Sequence, residues 1–121
     1  MPVALVADDV DEMRLMLSKT LRGLGFEQIL EVADGESALQ TIREQQPVIC
    51  FLDINMPGKS GLEILDYLTE HAFNTFPVIV SGHNTIDNVK TAISKGAKGF
   101  VVKPYSQEKI RQIVAKYQAS L

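Results

Sequence analysis

Five polar residues of the chain each stand directly after a short apolar run. Asp8 and Asp9 follow VALVA, and Asp53 follows VICFL. Ser81 follows PVIV, and Lys103 follows GFVV. If the runs are parallel strands, the five side chains meet at the carboxyl edge of one sheet, where open α/β sheets bind ligands. Three carboxylates, a hydroxyl and an ammonium group at that edge could bind a divalent cation and stabilise a phosphoryl group on a carboxylate.

The three carboxylates would be costly to hold together without a cation. Placed about 5 Å apart, they repel one another by roughly 3 kcal/mol per pair at an effective dielectric constant of about 20. Mg²⁺ accepts a few carboxylates and retains several waters, so it is the predicted cofactor, with Mn²⁺ as an alternative. Lys103 would offer a positive charge to a phosphoryl oxygen, and Ser81 would donate a hydrogen bond to another. These groups would surround Asp53 and stabilise a phosphoryl group that arrives on its carboxylate.

Each of these residues also has an ordinary structural interpretation. Asp8 and Asp9 could cap the first helix, Ser81 could begin a turn, and Lys103 could belong to a surface bend before a proline. For any one residue alone the ordinary role is the better interpretation, because caps and turns are common. The coincidence of all five favours a site.

The elements that must position these residues are five strands alternating with five helices. The apolar runs that predict the strands lie at residues 3–7, 28–33, 48–52, 77–80 and 99–102. Helical spacing marks the apolar faces of the segments between them, namely Met13, Met16, Leu17, Thr20, Leu21 and Leu24, then Ala38, Leu39 and Ile42, then Leu62, Leu65 and Leu68, then Ile86, Val89 and Ile93, and finally Ile110, Ile113, Val114 and Tyr117. This alternation predicts a parallel, doubly wound α/β sheet with helices on both faces, formed by one domain over residues 1–121.

Composition excludes several other classes of protein. The 121 residues are 45% hydrophobic and 22% charged, which is typical of a globular domain. The net charge of -3 argues against direct nucleic-acid binding, and no apolar run is long enough to span a membrane. The single cysteine, Cys50, cannot form an internal disulfide and is expected to be a core residue in a reducing compartment. A cytoplasmic location is therefore expected.

The motifs together resemble the receiver domain of two-component response regulators, over essentially the full length of the chain. They are the acidic pair at 8–9, the block at 53–58 with Gly61, Ser81-Gly82, and the segment at 99–104. All occur in the order and spacing of that family. The resemblance implies a flavodoxin-like fold with strand order 2-1-3-4-5.

The resemblance also implies roles for individual residues. Asp53 would accept a phosphoryl group from a histidine kinase or a phosphotransfer protein. Mg²⁺ would be held by Asp8, Asp9, Asp53 and the backbone carbonyl of Asn55. Ser81 and Lys103 would act with Asp53 as catalytic groups. Such a domain catalyses only its own phosphorylation and dephosphorylation, so no other enzymatic activity is expected.

Further positions would serve the response to phosphorylation. Ser81 and Phe100 are the predicted switch residues, and the Lys103-Pro104 bond is typically cis in the family. Asn55 and His83 are predicted modulators of the lifetime of the phosphoryl group. An unknown output partner is expected on the surface formed by the fourth helix, fifth strand and fifth helix, whose basic residues are Lys90, Lys95, Lys98, Lys109 and Arg111.

Two other functions are compatible with an aspartate after a parallel strand. A phosphatase of the haloacid-dehalogenase type is loosely imitated by Asp9-Val10-Asp11, but Met13 stands where Thr or Val is expected and a cap is lacking. A flavodoxin-like flavin binder needs a loop rich in Ser, Thr and Gly after the first strand, whereas DDVDEM would repel phosphate. The receiver interpretation is the stronger one.

Overall fold

The computed structural model describes residues 2–82 and 86–121, in which strands and helices alternate along the chain. The strands are β1 (Val3–Ala7), β2 (Gln28–Val32), β3 (Ile49–Asp53), β4 (Phe76–Ser81) and β5 (Gly99–Val102). The helices are α1 (Asp11–Gly23), α2 (Gly35–Gln45), α3 (Gly61–Glu70), α4 (Ile86–Ser94) and α5 (Gln107–Ala119). Each strand lies within one residue of its predicted position at either end.

The strands form one parallel sheet in the order β2-β1-β3-β4-β5, which confirms the predicted doubly wound, flavodoxin-like fold. The order reverses direction between β1 and β3, and this switch point is where such sheets bind ligands. In the register, Ala7 pairs with Leu52, Asp53 with Val80 and Ser81 with Val102. The carboxyl ends of β1, β3, β4 and β5 therefore lie side by side.

The core lies on both faces of the sheet, because successive strand residues point to opposite sides. On β3, Ile49 and Phe51 belong to the cluster under α1 and α5, whereas Cys50 and Leu52 belong to the cluster under α2 and α3. Every residue of β3 and β4 is buried. This packing explains why continuous apolar runs, rather than alternating ones, located these strands.

Within the described residues, three helices begin at polar caps that fix where the chain leaves the loops. Asp34 accepts a hydrogen bond from the Ser37 amide at the start of α2. Ser60 and Glu63 form a reciprocal capping box at the start of α3, and Ser106 caps α5 by accepting a hydrogen bond from the Lys109 amide. These caps place the first turns of α2 and α3 beside the carboxyl edge of the sheet.

The predicted apolar faces of two helices were wrong in part. Met16 of α1 is 40% exposed, and Ile86 and Ile93 of α4 are 72% and 60% exposed. Spacing identifies a stripe along a helix, but the side facing the sheet also depends on how closely the helix packs. In α4 the buried residue is the small Ala92, so the bulkier isoleucines lie outward.

Candidate functional site

The site is an acidic pocket at the carboxyl edge of the sheet. Asp8 follows β1, Asp53 ends β3 and Ser81 ends β4, and these three residues are only 4%, 5% and 1% exposed. Asp9, next to Asp8, is exposed. The three predicted carboxylates are thus brought together, with Asp9 at the surface and Asp8 and Asp53 buried.

The three carboxylates have the chemistry and spacing of a cation site. One oxygen from each of Asp8, Asp9 and Asp53 lies within 4.8 Å of the other two. Such a set of hard oxygen ligands, few in number and partly open to water, fits Mg²⁺. Among the residues that the structure describes, no sulfur or imidazole belongs to the group, so a softer metal is not favoured.

Lys103 joins two of the carboxylates. Its Nζ donates to Asp53 Oδ2 at 2.8 Å and lies 2.9 Å from Asp8 Oδ2. Burial acts to lower the pKa of Lys103, but the hydrogen bonds and charges of Asp53 and Asp8 outweigh it and raise the pKa above its ordinary value. The lysine therefore remains charged and partly neutralises the pocket.

The carboxyl group of Asp53 is held in a balance of opposing effects. Burial raises its pKa above the ordinary value, and the charge of Asp8 acts in the same direction. The hydrogen bond and charge of Lys103 oppose this shift, as does the Asn55 amide, which donates to Asp53 Oδ1 at 3.2 Å. A charged Asp53 is thus costly in this pocket without a further cation, which is the condition that a bound metal relieves.

The switch candidates lie on β4, which neighbours the strand of Asp53, and on β5, the next strand in the sheet. Ser81 is buried at the end of β4, and its carbonyl accepts a hydrogen bond from the Lys103 amide at 2.8 Å. Phe100 is half-buried on β5, packed against the α2–α3 side of the core. The Lys103-Pro104 bond is cis. His83 lies outside the described residues.

Two residues near the site were not foreseen from the sequence. Arg14 of α1 donates from Nη1 to the Asp8 carbonyl at 2.7 Å, and its Nε lies 3.5 Å from a Glu31 carboxylate oxygen. Tyr105 has its pKa raised to about 12 by burial and then by the charges of Asp8 and Asp53. The sequence did contain a signal for Arg14, because it lies one turn into a helix that follows an acidic pair. Tyr105 had none, because its approach depends on the turn after β5.

The fold and the pocket define a receiver domain, and comparison with known proteins agrees. The family model for the response regulator receiver domain matches residues 4–115. The chain belongs to this family. Receiver domains bind Mg²⁺ at an acidic pocket, as the aspartate group here would allow.

Individual relatives show the same likeness. The chain is 32% identical to the chemotaxis protein CheY of Listeria monocytogenes, covering 93% of this chain and 94% of that protein. The chain is also 32% identical to the DNA-binding response regulator MtrA of Mycolicibacterium smegmatis. That match covers 97% of this chain but only 49% of MtrA.

Solved structures resemble the chain in fold. NtrX from Brucella abortus superposes with a TM-score of 0.88 at 28% identity, over 99% of this chain and 27% of that one. A DNA-binding response regulator of the LuxR family from Staphylococcus aureus gives a TM-score of 0.89 at 24% identity, over 97% and 98% of the two chains. Among the described residues, no helix is long and apolar enough to cross a membrane.

Proposed function

We propose that Asp53 is the phosphoryl acceptor of this receiver domain and that a histidine kinase or phosphotransfer protein supplies the phosphoryl group. The observation that carries this proposal is the position of Asp53. It ends the central strand β3, with the acidic pair after β1 on one side and Ser81 at the end of β4 on the other. Lys103, which directly follows β5, donates to the Asp53 carboxylate.

The transfer needs a charged, oriented carboxylate. An oxygen of Asp53 forms a bond to phosphorus while the bond from phosphorus to the donor's imidazole nitrogen breaks, and the electron pair leaves with that nitrogen. The Asn55 amide and Lys103 Nζ each hold one oxygen of Asp53, which fixes the plane of its carboxylate. Mg²⁺ would be held by Asp8, Asp9, Asp53 and the Asn55 carbonyl, and it would supply positive charge to the phosphoryl oxygens.

After transfer, the new negative charge draws on groups already beside the acceptor. Lys103 can exchange its contact with Asp53 for a phosphoryl oxygen, and the Ser81 hydroxyl can approach another. Hydrolysis ends the signal when a water oxygen attacks phosphorus and the Asp53 carboxylate leaves. Asn55 and His83 are proposed to influence how readily water reaches that bond.

The experiment is intact-mass measurement after incubation with acetyl phosphate and Mg²⁺. We expect one phosphoryl addition to the wild type, none to Asp53→Asn, and none when the metal is chelated. Asp34→Asn, which changes a helix cap outside the pocket, should still be labelled. Equal labelling of Asp53→Asn would contradict the assignment.

The conformational change caused by phosphorylation is proposed to reach a binding partner through the surface formed by α4, β5 and α5. Ser81 precedes the segment that leads to α4, and Phe100 lies on β5, which Lys103 directly follows. The basic charge of this surface is smaller than the sequence suggested, because Lys95 binds Asp66 at 2.9 Å and Arg111 pairs with Glu108. The exposed isoleucines of α4 add apolar area, so a partner with both apolar and acidic groups fits best.

A further inference from the structure

A glycine of α2 is pressed against the loop that follows the acceptor. The acceptor loop, residues 54–60, connects β3 to α3 and contains Asn55. Gly35, the first residue of α2, is buried against this loop. The Gly35 amide donates to the Pro57 carbonyl at 3.0 Å. This contact joins two segments that are far apart in sequence.

The approach at Gly35 leaves no room for a side chain. A Cβ atom at this position would lie 2.6 Å from both the backbone nitrogen and the carbonyl carbon of Lys59, and closer still to its carbonyl oxygen. Nonbonded carbon atoms are normally about 3.5–4.0 Å from their neighbours, so the backbone of the loop would have to move. The atoms in the way belong to the main chain, and rotation of a side chain cannot relieve the clash.

The acceptor loop is otherwise held only near its ends by backbone hydrogen bonds among the described residues. The Ile54 amide donates to the Val80 carbonyl at 3.1 Å, and the Gly61 amide donates to the Ile54 carbonyl at 3.2 Å. Between them, the bond from Gly35 to Pro57 holds the middle of the loop. Asn55 therefore lies between a fixed point at Ile54 and a fixed point supplied by α2.

We infer that Gly35 is a positioning residue for the metal site: its close contact with the acceptor loop sets the position of Asn55, and through it the affinity for Mg²⁺. This inference rests on the proposed function, because it assumes that the Asn55 carbonyl is a metal ligand. Gly35 does not touch the metal or the phosphoryl group. It acts through the backbone of residues 57–59, as groups behind the ligands of a metal commonly do.

The test compares Mg²⁺ affinity with stability for three variants. Gly35→Ala should bind Mg²⁺ about 10-fold more weakly than the wild type when measured by titration calorimetry. Gly23→Ala is the matched glycine control, because a Cβ there would meet nothing within 4 Å, and its affinity should be unchanged. Ile42→Val shortens a side chain on the buried face of α2 and should lower the urea midpoint while leaving Mg²⁺ affinity unchanged.

This design separates positioning from general destabilisation. If Gly35→Ala loses stability but keeps the wild-type Mg²⁺ affinity, the inference is overturned. If the wild type itself binds no Mg²⁺, or is labelled elsewhere than on Asp53, the proposed function fails and the inference fails with it.

A measurement on the wild type decides the matter if Gly35→Ala does not fold. Coupling between two sites is reciprocal, so Mg²⁺ should in turn strengthen the contact at Gly35. Hydrogen exchange of the Gly35 amide should therefore slow when Mg²⁺ is added. The Gly25 amide, which donates to the Arg22 carbonyl at the far end of α1, is the matched control and should slow less. Equal responses of the two amides would overturn the inference.

Discussion

At the scale of single residues, the site is an arrangement of charges that is incomplete without a cation. Three carboxylates lie together and two of them, Asp8 and Asp53, share one lysine. Burial raises the pKa of Asp53 although Lys103 opposes the shift. The folded protein therefore holds a proton on Asp53 more readily than the unfolded chain does. A raised carboxyl pKa makes folding less favourable as the pH rises from the ordinary value of 3.8 through the raised one.

We expect Asp53→Asn to be more stable than the wild type at pH 7 without Mg²⁺, since the variant has no buried charge at this position. The advantage should narrow as the pH falls toward 3.8, where the wild-type carboxyl becomes protonated. Urea unfolding of both proteins across this range measures the difference. Asp87→Asn, an exposed position on α4, controls for the loss of one charge from the whole molecule. A less stable Asp53→Asn at pH 7 would contradict this account of the site.

At the scale of elements, α1 carries a polar group that is buried at a cost. Ser18 is fully buried, and its Oγ has no hydrogen-bond partner among the described residues. We expect Ser18→Ala to raise the free energy of unfolding by about 1 kcal/mol, because an unsatisfied hydroxyl is removed and alanine is the better helix former. Urea denaturation measures this change. Ser94→Ala on α4 is the matched control, because that exposed hydroxyl already bonds to the Thr91 carbonyl. Destabilisation by Ser18→Ala would mean that the hydroxyl is satisfied in solution.

The elements also show what the sequence could predict. Buried strands are continuous apolar runs, so their positions followed directly, and parallel strands necessarily gather their last residues at one edge. Helix faces were harder, because the outward position of Ile86 and Ile93 depends on the small Ala92 packing closely against the sheet. Gly35 against Lys59 could not be foreseen, since that contact is between backbones brought together by two different loops.

At the scale of the whole molecule, the central strand ties the site to global stability. Cys50 lies in β3, opposite Leu5 of β1 and Pro77 of β4, and is completely buried. Burial raises the pKa of its thiol to about 12, with a weaker opposing contribution from Thr75. The thiolate is the reactive form, so the native thiol is both shielded and protonated at neutral pH.

Cys50 therefore reports opening of the sheet, and it is the only cysteine in the chain. We expect iodoacetamide at pH 8 to label the native protein slowly, through the small fraction of molecules in which the sheet is open, and to label the urea-unfolded chain rapidly. The proposed binding of Mg²⁺ to the folded state predicts that a concentration about ten times its Kd will slow native labelling roughly tenfold when refolding outpaces alkylation. Asp53→Asn, which lacks one of the proposed metal ligands, should show a smaller effect. Rapid labelling of the native wild type that Mg²⁺ does not slow would mean that β3 opens locally and independently of the site. Only a local opening could expose Cys50 without disrupting the carboxylates at the end of the same strand.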